Sequence, residues 1–182
     1  YASAFGGLNL YKFTKNKVIV KPINLKKSTA KELQDNSLLF RLGDREHSKG
    51  ILQSQIKSIN QSNKTTISAL HKAKELAIEM HDSLKENDLT KFSDILNRGW
   101  EAKRDYTKGV SNKRIEMVSK KAIENGAQAL KVTGAGGGGH FFIYASPSKH
   151  RSIINSLKKL GVSNVDFKYQ NQGAKVFEIN NL

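Results

Sequence analysis

Apolar and polar positions alternate in two short stretches near the start of the chain. Residues 8–13 (LNLYKF) and 18–23 (VIVKPI) are rich in β-branched and aromatic side chains. The polar turn TKNK between them predicts a β-hairpin. KKSTAKEL then reads as a connector, and NSLLFRLG (36–43) as a buried strand ending at Gly43. Beyond it the period lengthens. Ile67, Leu70, Ala73, Ala77, Met80 and Leu84 recur at steps of three and four, the apolar stripe of a long helix that stops at KENDL. Asp88 is placed to cap a following helix that presents Leu89, Phe92, Leu96 and Trp100 on one side.

The same reading continues to the end. Ser111 is the expected N-cap of a helix in GVSNKRIEMVSKKAIENG, and Gly126 stands where a left-handed residue commonly ends one. A short strand ALKVT, a glycine run and a second strand HFFIYAS follow. SPSKHRSIINSLKKLG predicts a helix with Ile153, Ile154, Leu157 and Leu160 inward and Gly161 at its end, and VDFKY and AKVFEI read as closing strands. The order β-β-β, three or four helices, β-β-α-β-β predicts an α+β fold with helices on an antiparallel sheet. The expected internal boundary lies near residues 25–35, where the hairpin gives way to polar sequence.

The glycine run needs a reason of its own. GAGGGG (134–139) holds five of the chain's fourteen glycines in six positions. Each glycine inside regular structure costs about 0.5–1 kcal/mol relative to alanine. A dinucleotide fingerprint needs a helix after the glycines, and a P-loop needs Lys and Ser/Thr. Here His140 and Phe141 begin a strand, so neither fits. A flexible turn remains open, as does a loop that lets another backbone or a ligand's phosphates come very close.

Composition adds a partner class. The 182 residues include 31 Lys+Arg against 16 Asp+Glu, a net charge of +15, which favours anions. The cations are scattered, as on a solvated lysine-rich surface. There is no cysteine, hence no disulfide or thiolate metal site. Without an apolar run long enough to span a bilayer or a basic-then-apolar leader, a cytoplasmic protein with no membrane partner is expected. The chain opens on Tyr1 within the strand-like AFGGLNLYKF, as expected of a fragment lacking its N-terminal part. The histidines at 47, 71, 81, 140 and 150 show no metal-site spacing. In GDREHSKG (43–50), Arg45, His47, Ser48 and Lys49 precede a helix, a combination suited to phosphate or hydroxyl-rich ligands as well as to a plain helix-initiating turn. Lys103, in GWEAKRDYTKGVSN, is a further candidate to face a cleft.

Several stretches together resemble the GHMP small-molecule kinase superfamily. They are YASAFGGLNLYKF, ILQSQ, AIEMHDSLKENDLTKFSDILNRGWEAKR, GVSNKRIEMV and NGAQALKVTGAGGGGHFFIYASPSKH. Within the superfamily the chain is most similar to bacterial D-glycero-D-manno-heptose 7-phosphate kinases. The resemblance implies a C-terminal GHMP domain of ferredoxin-like character over 31–182, preceded by a hairpin remnant of the N-terminal domain over 1–30. It also implies ATP- and magnesium-dependent phosphoryl transfer to the anomeric hydroxyl of a phosphorylated sugar, with positioning and charge stabilisation as the catalytic means. Gly134, Ala135, Gly136, Gly137 and Gly138 match the motif that lines the active cleft, with Lys131 and Thr133 leading into it. Arg45, Ser48 and Lys103 are the candidates for the phosphosugar side.

Two family motifs are missing from the chain, the nucleotide loop P-x-x-x-G-L-G-S-S and the G-x-x-D-Q stretch whose aspartate is catalytic. That aspartate is expected just upstream of Tyr1, so the isolated chain is expected to be inactive. Two local departures, Ala129–Leu130 in place of glycines and His140 in place of an apolar residue, leave other acceptors of galactose, fucose or mevalonate type open. A nucleic-acid-binding module would need cations interleaved with stacking aromatics, and HFFIYA has none within the strand. A binding-only pseudokinase is the remaining alternative.

Overall fold

In a computed structural model, residues 1–43 and 48–177 are described, apart from the side chains of Ser48 and Lys49. The hairpin forms as expected. Strand β1 (Asn9–Phe13) pairs antiparallel with β2 (Val18–Pro22), Phe13 opposite Val18. It is preceded by a one-turn helix, α1 (Ala2–Phe5), where the sequence had read as strand. KKSTAKEL is not a connector either: α2 (Lys27–Asp35) is helical and buries Thr29 and Leu33. The expected domain boundary at residue 30 therefore falls inside a helix.

The main sheet has four strands in the order β4-β5-β3-β6, all neighbours antiparallel. Its members are β3 (Ser37–Gly43), β4 (Ala129–Val132), β5 (Gly139–Tyr144) and β6 (Ser163–Val165). Between β3 and β4 run four helices: α3 (Ser48–Asn60), α4 (Lys64–Glu86), α5 (Leu89–Arg104) and α6 (Lys113–Glu124). A single helix, α7 (Pro147–Lys158), joins β5 to β6. This is the β-α-β-β-α-β order of a ferredoxin-like α+β domain, as the sequence implied.

Alternation along the strands decides which helices cover which face. Phe40 lies opposite Phe141, which in turn lies opposite Val132, and Leu38, Ile143 and Leu130 form a parallel row. All six are buried against Ile115, Val118 and Ala122 of α6 and Ile153 and Leu157 of α7. On the other face Ala129 and Tyr144 meet Leu33, Leu84, Phe92 and Leu96. Burying each large aliphatic side chain contributes about 1.5–3 kcal/mol, so these two layers carry the fold.

Two helix details differ from expectation. The buried face of α4 is Thr66, Ala69, Leu76, Ser83 and Leu84, rotated from the apolar stripe, and Ala77 is exposed. Two hydroxyls make this possible: Thr66 Oγ1 donates to the Tyr106 carbonyl at 3.0 Å and Ser83 Oγ to the Asp88 carbonyl at 2.7 Å. The N-cap of α6 is Asn112, not Ser111; its side chain accepts from the Ile115 N–H at 3.0 Å, while Ser111 Oγ donates to Glu116. Asp88 caps α5 as read, accepting from Lys91 N–H at 2.8 Å.

The described part of the closing segment does not form the expected pair of strands. Among the described residues Ser163–Val165 joins the sheet, residues 166–177 run without regular structure, and the end of AKVFEI lies outside the described residues. No described helix is long and apolar enough to cross a membrane.

Candidate functional site

The glycine run is the connection between β4 and β5. Thr133 closes its base: both its N–H and its hydroxyl donate to the His140 carbonyl, at 2.9 and 3.2 Å. Between them the backbone turns through conformations that side chains rarely adopt, with φ of 69° at Gly134, 106° at Gly136, 74° at Gly137 and 82° at Gly139.

Strain is only part of the requirement for glycine; the other part is close approach. A Cβ on Gly136 would lie 2.8 Å from the Val110 carbonyl oxygen, and one on Gly137 would lie 2.5 Å from Ile51 Cδ1. Gly137 N–H donates to that same Val110 carbonyl at 2.9 Å. The loop is thus laid directly on the backbone of residues 109–110 and on the first turns of α3. Another backbone approaches this closely, one of the two partners the sequence left open.

Side chains then fix which way the peptide groups face. Asn112 caps α6 with its oxygen and donates from Nδ2 to the Gly137 carbonyl at 3.1 Å. Lys103, at the end of α5 and only 9% exposed, donates from Nζ to the Val132 carbonyl at 3.1 Å and to the Gly134 carbonyl. Three carbonyls of the loop and its entry are therefore held by side chains. Among the described residues the N–H groups of Gly134 and Ala135 meet no acceptor. Amides left without an acceptor in a glycine-rich loop are the groups that anion-holding backbone nests use.

The candidates named from sequence do not all converge. Thr133, Gly134, Ala135, Gly136, Gly137 and Gly138 form the loop itself. Lys103 lies behind it, bound to backbone. Lys131 points to the opposite sheet face from Leu130 and Val132, into a cavity of about 240 Å³ between α4, α5 and β4 that Leu76, Met80, Leu96 and Tyr106 also line. Burial holds the Lys131 ammonium below its ordinary pKa and raises the Tyr106 phenol. Arg45 lies outside the described residues, as does the side chain of Ser48. The helix that Ser48 opens does reach the loop, through Ile51. Sequence reasoning missed Asn112, Val110 and Ile51. The Ser-Asn pair before α6 was the available signal for the first, and nothing local marked the others.

Among the described residues no three His, Asp or Glu side chains gather in a way that would hold a metal ion. The loop amides suit an anionic phosphate chain, and among the described residues no carboxylate cluster offers a donor set for magnesium.

Relatives with this arrangement are known. Residues 80–163 match the family described as GHMP kinases C terminal. The chain carries a GHMP kinase C-terminal domain. It is 33% identical over 180 residues to the D-glycero-alpha-D-manno-heptose 7-phosphate kinase of Campylobacter jejuni, covering 98% of this chain and 52% of that protein. It superposes on the D-glycero-D-manno-heptose 1-phosphate kinase of Bacteroides thetaiotaomicron with a TM-score of 0.67 at 26% identity, over 98% of this chain and 48% of the other. The L. major mevalonate kinase, in complex with R-mevalonate, shares the fold, with a TM-score of 0.69 at 19% identity over 94% and 51% of the two chains. The GHMP chain described here thus spans about half the length of these kinases.

Proposed function

We propose that these residues are the C-terminal part of an ATP- and magnesium-dependent kinase that phosphorylates D-glycero-D-manno-heptose 7-phosphate at its anomeric hydroxyl. The oxygen of that hydroxyl forms a bond to the γ-phosphorus of ATP, the bond from γ-phosphorus to the β-phosphate oxygen breaks, and the products are the 1,7-bisphosphate and ADP. The hydroxyl proton passes to an aspartate outside this chain. Magnesium, bound with the nucleotide, would neutralise phosphate charge.

In this reading Gly134, Ala135, Gly136, Gly137 and Gly138 form the wall of the cleft against the nucleotide phosphates, and Lys131 and Thr133 set the strand that leads into it. Arg45 and Ser48 belong to the phosphosugar side. The net charge of +15 favours two multiply phosphorylated substrates over neutral ones. One observation carries the assignment of acceptor: the 33% identity to a heptose 7-phosphate kinase runs over 98% of the chain.

The test is a coupled ADP-release assay on a longer polypeptide carrying these residues, with heptose 7-phosphate, galactose, fucose and mevalonate as acceptors. Turnover is expected with heptose 7-phosphate above the other three, and none from the 182 residues alone. Preference for another acceptor overturns the substrate, and turnover by the isolated chain overturns the division of labour. No turnover by the longer polypeptide with any of the four leaves a binding-only protein.

A further inference from the structure

β4 is an edge strand, paired with β5 on one side only. An edge exposes a row of backbone donors and acceptors that must be satisfied or protected. Here α5 lies along it and supplies side chains in place of a strand. Asn97 Nδ2 donates to the Gln128 carbonyl at 2.8 Å, and Asn97 Oδ1 accepts from the Leu130 N–H at 3.3 Å. Lys103 continues the row, reaching the Val132 carbonyl at 3.1 Å and then the Gly134 carbonyl. The contacts run past the last residue of β4 and into the glycine loop.

That last contact has a different consequence from the others. Gly134 has no side chain to pack and sits at φ 69°, so its peptide orientation is set by whatever binds its carbonyl. A buried ammonium is a strong partner, since hydrogen bonds to charged groups exceed neutral ones. We propose that Lys103 is a positioning residue, a latch from α5 that turns the Val132 and Gly134 carbonyls inward and so fixes the glycine loop, rather than a group that touches the phosphosugar. The structural half of this inference stands on the hydrogen bonds alone; its catalytic half rests on the kinase reading above.

Two substitutions and two readouts test it. Lys103→Met keeps an unbranched apolar stem and removes every donor, whereas Lys103→Arg keeps donors in a different geometry. In the 182-residue chain, backbone amide exchange across residues 133–140 is expected to quicken about tenfold in Lys103→Met, and less in Lys103→Arg, with α7 unchanged. Unchanged exchange at 133–140, or equal acceleration in every element, overturns the latch. In the longer polypeptide, kcat for ATP-dependent turnover is expected to fall about tenfold while the KM for the phosphosugar moves little, with partial recovery in Lys103→Arg, because misplaced groups cost rate more than binding. A rise confined to the phosphosugar KM would make Lys103 a substrate ligand and overturn the positioning role. Absence of turnover in the unsubstituted protein removes the kinase reading and leaves the exchange result to decide the latch.

Discussion

Gly136 combines the two reasons a position can demand glycine. Its φ is 106°, and a Cβ there would meet the Val110 carbonyl oxygen at 2.8 Å and its Cα at 3.0 Å, both of them backbone atoms that cannot swing aside. Gly136→Ala is therefore expected to lower stability by about 2–4 kcal/mol, strain and overpacking each contributing. Gly99, in the middle of α5 with nothing within 4 Å of its missing Cβ, is the internal contrast. Gly99→Ala is expected to gain about 0.8–1 kcal/mol from helix propensity. Urea denaturation of the two variants checks both signs. Lys131 is the other residue with a clear expectation. Burial holds its pKa below the ordinary lysine value of 10.5, so the unfolded chain binds the proton more tightly than the folded one. The cost of burying the cation is fully present below the folded pKa and disappears as pH rises through the window up to the unfolded value. Lys131→Met should then raise the urea midpoint at pH 7, and its advantage should narrow as the pH approaches about 10.5. An advantage that stays constant from neutral to alkaline pH would remove burial of charge as the cause.

Asn112 works at the scale of elements, because one side chain joins a helix to a loop. Its oxygen caps α6 and its amide nitrogen holds the Gly137 carbonyl. Asn112→Ala should cost about 1 kcal/mol as a lost cap. Asn112→Asp should keep the cap while losing the donor, so amide exchange in 134–139 quickens in both variants but the helix weakens only in the first. Elements with their own long period or alternation were legible in the sequence: the hairpin, β3, α5, β5 and α7 fall where periodicity put them. Those whose character comes from a neighbour were not. α2 starts at Lys27 with no side-chain cap and buries only Thr29 and Leu33, too short a stripe to stand out. α4 turns a face with Thr66 and Ser83 inward because carbonyls elsewhere in the chain accept their hydroxyls, which no periodicity can show. VDFKY and the start of AKVFEI have strand composition, yet among the described residues the sheet pairs with nothing beyond Val165. The site followed the same rule. The glycine loop could be read from composition alone, whereas the contacts of Lys103 with the Val132 and Gly134 carbonyls have no sequence signature.

At the scale of the whole molecule, the segment that reads as strand in the sequence ties the hairpin to the sheet. Residues 166–174 run as a strap from the sheet to the hairpin. On the body side Gln34 binds it twice, Nε2 donating to the Phe167 carbonyl at 3.3 Å and Oε1 accepting from the Tyr169 N–H at 2.8 Å, while the Tyr169 hydroxyl pairs with Ser37 Oγ at 3.0 Å. Burial raises the Tyr169 phenol above its ordinary pKa, so it keeps its proton further into the alkaline range than a free tyrosine. On the hairpin side Gly7 N–H donates to the Gln170 carbonyl at 2.8 Å and Ala174 N–H to the Ala4 carbonyl at 3.1 Å. The crossing is tight enough that a Cβ on Gly173 would fall 1.9 Å from the Ala4 oxygen. The hairpin is also anchored by apolar packing of Leu8, Ile23 and Leu25 against the cluster of Leu33, Leu84 and Leu89, and just beyond it the Lys26 N–H donates to Asn87 Oδ1 at 3.0 Å. If residues 1–30 and 31–182 are separate units, as the sequence suggested, the strap couples them alongside that packing. Gly173→Ala should then detach it locally: amides of residues 1–24 exchange faster, whereas β3 and β5 keep their protection, because their contacts lie within the other unit. Equal loss of protection in the hairpin and the sheet would show instead that the chain opens as one cooperative body, with α2 as a continuous joint across the proposed boundary.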